Sequence, residues 1–370
     1  MIKRQNMLIV LVVLAIMLIG LLAVYSATYQ KLIPIYQHIF AKHLIKVFVA
    51  IIIIFLVSKI NYRRFYDFAW YIYGLGVFLL VLVLFFGREI LGAQRWFEFG
   101  FFNFQPSELV KFGTILVLSR YFCQKRSYSV KIGIFANTIV LFRELIVPFL
   151  LILLPMGLIF LQPDLGTALT LVPVFLSILL IANTRLKYLV SFLVAGLISL
   201  PVIWHFLKPY QKERLLVFLN PNIDPLGAGY TMIQSKIAVG SGRFFGKGWL
   251  SGTQNQLNFL PERHTDFVFS VIGEEWGVLG ASILIALYFY LIILLFKVAF
   301  QTRDNFATYF SVGIIGLLTF QVVVNISMTL GLCPVVGLSL PFISYGGSTL
   351  IIFSVFIGIL LNINEKRKIF

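Results

Sequence analysis

Charge is what this chain has least of. Only 12% of its 370 residues are charged, and the acidic ones are the scarcer half, 14 against 30 basic. A water-soluble globule covers itself with polar and charged side chains, and a chain that is 60% hydrophobic with a mean hydropathy of +0.96 has too few of them. A soluble fold is excluded. Cysteine is nearly absent: Cys123 and Cys333 stand far apart, on opposite predicted sides of the membrane, so no disulfide framework and no CxxC metal site can form. Histidine occurs four times, without HExxH, without a metal-spaced pair and without a Ser/His/Asp order. Also missing are any internal repeat of about 20 to 50 residues and any low-complexity segment.

What remains is long apolar runs. They are about 17 to 25 residues long, which suits helices crossing a hydrocarbon core about 30 Å thick and is too long for barrel strands. The expected fold is an all-α integral membrane protein of ten transmembrane helices. The spans are predicted near Met7–Val24, Leu44–Val57, Phe65–Phe86, Ser107–Phe122, Glu144–Phe160, Leu165–Ala182, Tyr188–His205, Asp266–Phe300, Phe306–Leu330 and Thr349–Ile363. Basic residues concentrate in connections predicted to be inside, among them Arg63, Arg64, Lys125, Arg126, Lys131, Arg143, Arg185 and Arg303, and this asymmetry puts both termini in the cytoplasm. The formal charge of +16 therefore points to anionic lipid rather than to nucleic acid.

Residues 1–370 then form one polytopic membrane domain, interrupted by a large external loop, 206–263, between the seventh and eighth helices. Long loops in compact proteins usually carry function. Tyr230–Val239 spaces Met232, Ile233, Ile237 and Val239 as a short helix would, to lie on the bilayer surface or to pack over the bundle. The segment GSGRFFGKG, residues 240–248, combines a freed backbone with Arg243 and Lys247; it is able to approach a phosphate, or is simply a basic turn.

The polar residues of the spans carry the functional argument, because charge inside a membrane is expensive. Glu108 and Lys111, at i and i+3, can pair on one helix face, as catalytic machinery or as glue between helices. Asp164 follows a proline where it could cap the sixth helix, and Arg95 lies beside Trp96, where an interfacial anchor is the alternative. The densest polar stretch is FLPERHTDFVFSVIGEEWG, residues 259–277. There Thr265 or Asp266 is placed to cap a helix whose membrane part begins at Val278, so that Asp266 is either a cap, a general base or a fixed anion for a cation.

These residues, taken together, match a known pattern. GAQRWF (92–97), QPSELVKF (105–112), QPDLGTAL (162–169), NPNIDPLGAGY (220–230), FLPERHTDFVFSVIGEE (259–275) and GLSLPFISYGGST (337–349) resemble the SEDS family of bacteria, named for shape, elongation, division and sporulation. PERHTDF and the short tails resemble its elongation branch more than its division branch. Ser327, Ser339 and Thr349 depart from the family's usual residues.

The resemblance implies a peptidoglycan glycosyltransferase of the bacterial inner membrane. It would polymerise lipid II, the undecaprenyl-pyrophosphate-linked disaccharide pentapeptide, with a class B penicillin-binding protein and other elongation-complex membrane proteins as partners. Asp266 matches the position regarded as catalytic, acting as base or holding a divalent cation, Mg or Mn. Arg95, Glu108, Lys111, Asp164, Arg214, Arg243 and His264 are the substrate-binding candidates. Two other classes compete: a transporter that flips lipid II, which calls for charges at the bilayer midplane and internal pseudo-symmetry, and a scaffold, which leaves Glu108, Lys111 and Asp266 without a purpose.

Overall fold

The computed structural model describes residues 2–29, 37–90, 93–99, 102–126, 146–182, 186–227 and 229–367. Lys131, Arg143 and Arg185, used above to orient the chain, lie outside these, as does Glu144 at the start of the predicted fifth span. Helices dominate: α1 (Ile2–Thr28), α2 (Gln37–Ser58), α3 (Tyr62–Asp67), α4 (Ala69–Phe86), α5 (Pro106–Arg126), α6 (Val147–Leu161), α7 (Leu165–Ile181) and α8 (Leu186–Phe206) come first. Then follow α9 (Pro209–Leu219), α10 (Tyr230–Ser241), α11 (Thr253–Gln256), α12 (Val268–Gln301), α13 (Asn305–Thr329) and α14 (Gly347–Lys366). Six of them, α1, α2, α4, α12, α13 and α14, are long and apolar enough to cross a membrane, and shorter apolar helices lie at 147–161, 165–181 and 189–199.

Two expectations change. The fold is not purely α-helical: the connection between α4 and α5 is a three-stranded antiparallel meander, β1 (Arg88–Ile90), β2 (Ala93–Phe99) and β3 (Phe102–Phe104), in the order β1-β2-β3. Glycines at 87, 92 and 100 punctuate aromatic-rich runs, a strand signature that hydropathy alone passes over. Arg88 pairs with Glu98 across this ribbon. The second concerns the long connection after α8, where the short helix expected over 230–239 forms and is joined by further helical elements. It folds as α9, a 3₁₀ turn at Pro221–Ile223, α10 and α11.

The chain divides into two compact units. The first comprises Met1–Ile53, Phe206–Leu294 and Leu318–Ser354. In it α10 buries Met232, Ser235 and Ala238, and the Ser235 hydroxyl lies 2.7 Å from Ser270 Oγ and donates to the Thr329 carbonyl at 2.6 Å. Ile237, counted above with the apolar face, is 45% exposed. The packed alternative is therefore the one adopted.

The second unit comprises Ile54–His205, Leu295–Leu317 and Val355–Phe370. Here α4 and α5 approach closely because each offers a glycine to the other. A Cβ on Gly76 would come within 2.8 Å of Val110, and one on Gly113 within 2.8 Å of Tyr73. Phe112 then sits among Phe65, Phe310 and Phe356 at centroid distances of 5.9, 6.2 and 5.6 Å. Asn362 ties the turn before α3, accepting from Tyr62 N–H at 3.0 Å and donating to the Ser58 carbonyl at 2.8 Å. The Tyr62 hydroxyl donates to Asp304 at 2.8 Å, and burial followed by that carboxylate pushes the phenol up to about 12.

Candidate active site

The residues Pro261–Phe267 form a run of turns, and α12 begins at Val268, so neither Thr265 nor Asp266 is the cap of this helix. Thr265 instead turns its hydroxyl back to Glu262, 3.1 Å from its carbonyl and 3.0 Å from its carboxylate. Three anchors fix the main chain of this turn. Arg263 Nε donates to the Ala27 carbonyl at the end of α1 at 2.7 Å, Tyr345 N–H donates to the His264 carbonyl at 2.9 Å, and Asn325 Nδ2 donates to the Asp266 carbonyl at 2.9 Å. The same Asn325 amide donates to the Leu338 carbonyl at 2.7 Å. Asn325 is fully buried in α13 and was not singled out by sequence reasoning. Two amides one turn apart in an apolar span, Gln321 and Asn325, were the available signal.

Asp266 is half-buried and lines a cleft of about 170 Å³ with Arg214 of α9, Thr231 and Met232 of α10, Glu262 and Val335. Arg214 is exposed and donates to the Val335 carbonyl at 3.3 Å. Gly337 has a positive φ of 72°, and a Cβ there would lie 3.5 Å from Asp266 Oδ2, so the glycine keeps that side of the carboxylate clear. His264 packs its ring 5.7 Å from Tyr345; burial holds its imidazole below the usual range, with Glu262 opposing and Arg263 adding to the effect.

The other carboxylates of the stretch behave differently. Helix α12 is broken at Gly277, which has φ 65° and ψ −162°. Lys247 and Gly248 N–H groups donate to the carbonyls of Glu274 and Glu275, both at 3.0 Å, while Val278 and Leu279 N–H groups donate to Arg243 and Phe244 at 2.9 and 3.1 Å. The 240–248 segment thus satisfies main-chain groups freed by the break. A Cβ on Gly246 would stand 2.1 Å from the Glu275 carbonyl, which is why glycine is required there.

Arg243 is exposed on this segment and is not among the residues lining the Asp266 cleft. Glu274 accepts from Lys247 Nζ at 2.8 Å, Thr253 Oγ1 at 3.1 Å and the N–H groups of Gln254 and Asn255 at 3.0 and 3.3 Å. Glu275 accepts from Ser26 Oγ at 2.5 Å, Asn255 Nδ2 at 3.2 Å and Leu250 N–H at 3.3 Å.

In the second unit two polar groups stand close in sequence. Asp164 does cap α7, accepting from Thr167 N–H at 3.2 Å and Thr167 Oγ1 at 2.9 Å. It also accepts from Gln105 Nε2 at 3.3 Å, and Arg95 Nη1 lies 4.0 Å away. Arg95 Nε donates to the Gln162 carbonyl at 3.0 Å, which fixes the guanidinium over the turn before α7. In the first turn of α5, Glu108 Oε1 accepts from Lys111 Nζ at 2.7 Å, with the lysine fully buried. Removing either partner of a pair this deep would leave the other buried without its counter-charge.

No three His, Cys, Asp or Glu side chains among the described residues are grouped to hold an ion by themselves. Two carboxylates on the Asp266 cleft do suit a hard cation that keeps several waters and is completed by substrate phosphates.

A family model described as cell cycle proteins, covering FtsW, RodA and SpoVE, matches residues 6–369. The chain belongs to this family. It is 37% identical to the peptidoglycan glycosyltransferase MrdB of Escherichia coli K12, covering 97% of this chain and 93% of that one. It is 30% identical to the peptidoglycan glycosyltransferase RodA of Treponema pallidum, covering 97% of each. Among solved structures, a chain of a peptidoglycan synthase complex that coordinates polymerization and crosslinking superposes with a TM-score of 0.79 at 34% identity, covering 97% of each chain. The crystal structure of the rod shape determining protein RodA of Thermus thermophilus gives a TM-score of 0.71 at 31% identity, covering 97% of this chain and 96% of that one.

Proposed function

We propose that the protein is a peptidoglycan glycosyltransferase of cell elongation that polymerises lipid II at the outer face of the bacterial inner membrane, with Asp266 as the general base. The observation that carries this reading is the Asp266 turn: a carboxylate on an open cleft beside a guanidinium, with its main chain anchored at Ala27, Tyr345 and Asn325. Acid-base catalysis needs such fixed placement of one proton acceptor. Ten spans, both termini in the cytoplasm and the 206–263 region outside complete the reading; Asp266 then stands at headgroup depth, where a lipid-linked sugar presents its reacting end.

Asp266 would take the proton of the acceptor's 4-hydroxyl as that oxygen attacks the donor's anomeric carbon. The C–O bond to the pyrophosphate breaks on the opposite face, the configuration inverts to a β-1,4 link, and the bonding electrons leave with the lipid pyrophosphate. That leaving group departs as an anion and needs no second acid. Arg214, which lines the cleft with Asp266, is the cation offered to balance its charge. Asp266 and Glu262 are the residues that would hold a divalent cation, whose chemistry would be neutralisation of the pyrophosphate. A class B penicillin-binding protein that cross-links the product is the proposed partner, in keeping with the synthase complex that this chain resembles.

The test is to supply labelled lipid II to the purified protein, with and without that partner, and to resolve the products by length. Glycan strands are the expected product. Lipid II moved across a vesicle membrane without polymer would replace this reading with transport.

A further inference from the structure

The segment GSGRFFGKG is held chiefly by its main chain. The carbonyls of Arg243 and Phe244 accept from the Val278 and Leu279 N–H groups, and the N–H groups of Lys247 and Gly248 donate to Glu274 and Glu275. With the backbone turned to the break in α12, the side chains at 243–245 are left on the outside. Phe244 is 57% exposed and Phe245 78%, their rings in edge contact at 4.9 Å, and Trp249 is 47% exposed. Rings bared to this extent on so short a stretch cost free energy in water, and a contiguous apolar patch marks a surface that something covers.

Two contacts fix how deep this stretch lies, both inside the first compact unit. Val278 and Leu279, to which it bonds, open the apolar run of α12 and are themselves exposed. Trp249 Nε1 reaches the Leu22 carbonyl at 3.5 Å, near the C-terminal end of α1, and its ring lies 5.7 Å from that of Tyr25. Leu18 and Leu22 are exposed on the same helix. The stretch therefore touches two candidate spans where their exposed apolar surfaces run out, and its rings extend those surfaces. An apolar surface continuous with the outside of membrane-crossing helices is covered by lipid, and tryptophan beside tyrosine is the pairing favoured at the headgroup boundary.

Arg243 supplies the charge. It is exposed, and none of the ion pairs among the described residues engages it, whereas Lys247 is taken up by Glu274. A guanidinium forks onto phosphate oxygens, and basic residues at a membrane surface gather anionic lipid.

We propose that residues 243–249 are an interfacial anchor: Phe244, Phe245 and Trp249 enter the bilayer where headgroups meet hydrocarbon, and Arg243 pairs with the phosphate of an anionic phospholipid. The anchor ties the bilayer surface to the break in α12 through the hydrogen bonds at 243–248. Which leaflet is met follows from the topology proposed above; the seating depends neither on that nor on the reaction.

The full-length protein, with benzoylphenylalanine in place of Phe245 and otherwise native, is placed in nanodiscs of phosphatidylcholine and phosphatidylglycerol in equal parts. It is irradiated, and the mass of each adduct is read. Phe245 is the most exposed of the three rings, so the fold tolerates a larger side chain there. The same label at Leu279 marks exposed surface of a span, and at Asn222 an exposed polar turn. Expected at 245 are phospholipid adducts in a yield like that at 279 and well above that at 222, with phosphatidylglycerol about fivefold over phosphatidylcholine. Arg243→Gln should return that ratio to parity and leave the total yield unchanged. Lipid adducts at 279 with none at 245 would put the rings in water and overturn the anchor. A covalent dimer, or an adduct to the class B penicillin-binding protein when that is reconstituted alongside, would give the patch to protein and overturn it as well. An unchanged phosphatidylglycerol preference in Arg243→Gln, or no preference in the wild type, would overturn the phosphate pairing.

Discussion

Asp266 and the Glu274–Glu275 pair belong to one short segment and are held in opposite ways. The two glutamates are fixed through their carboxylates, which between them accept from Lys247, Thr253, Asn255, Ser26 and main-chain N–H groups. Asp266 is fixed through its carbonyl, while its carboxylate faces a cleft. Polar density in an apolar chain thus has two uses. The Glu274 and Glu275 carboxylates are taken up by the fold, whereas the Asp266 carboxylate lines a cleft that a ligand can enter.

The sharpest way to break this comparison is to neutralise each kind of carboxylate. Asp266→Asn should lower polymerisation by a factor of about 10² to 10⁴, the usual worth of a general base, with thermal unfolding and partner co-purification unchanged. Near-normal polymer from that folded variant would move Asp266 to the structural side. Glu274→Ala should do the reverse to the fold, leaving the half-buried Lys247 ammonium with only the Thr253 hydroxyl at 2.7 Å and the Gln254 and Asn255 N–H groups without their acceptor. A loss of about 3 kcal/mol, seen as a clear drop in melting temperature and in yield of folded protein, is expected. Glu274→Gln, which still accepts, should recover much of it.

Asn325 tests the anchor itself. Asn325→Leu removes the donor to the Asp266 and Leu338 carbonyls, and a small displacement of a catalytic group costs up to about a hundredfold in rate. The fall is expected in kcat, with KM for lipid II little changed, which a purely structural residue would not produce. The smallest effect concerns His264. Its imidazole is held below the ordinary value near 6.5 by burial, so the folded state prefers the neutral ring. That contribution is fully present above pH 6.5 and is lost as the pH falls through the lowered value. His264→Gln should therefore flatten the acid limb of the thermal-stability profile; an unchanged profile would remove the imidazole from it.

Hydropathy made the spans legible, because a membrane helix must satisfy its main chain internally and therefore announces itself by length and apolarity. The Glu108–Lys111 pair was legible for a related reason, since spacing alone puts i and i+3 on one face. The meander at 88–104 was not, since short strands leave little trace in a hydropathy profile. The segment around Arg243 was read for its charge, whereas its glycines turned out to matter for how near they let it come to another backbone. Asn325 passed unnoticed because its bonds reach main-chain atoms remote in sequence, which no local pattern encodes. The start of α12 was misjudged by two residues, since the chain keeps turning through 261–267 and the Thr265 hydroxyl bonds back to Glu262.

The interruption at Gly277 has a mechanical consequence. In an unbroken helix every residue is locked in angular phase with the next, so a twist applied at one end turns the other. Here the phase is reset, and residues 243–248 bridge the break: Lys247 and Gly248 donate to Glu274 and Glu275 on one side, and Val278 and Leu279 donate to Arg243 and Phe244 on the other. The two halves are therefore joined through this splint instead of a continuous run of helical bonds, so a change in residues 243–248 reaches the part of the helix next to Asp266 and the span that starts at Val278 together.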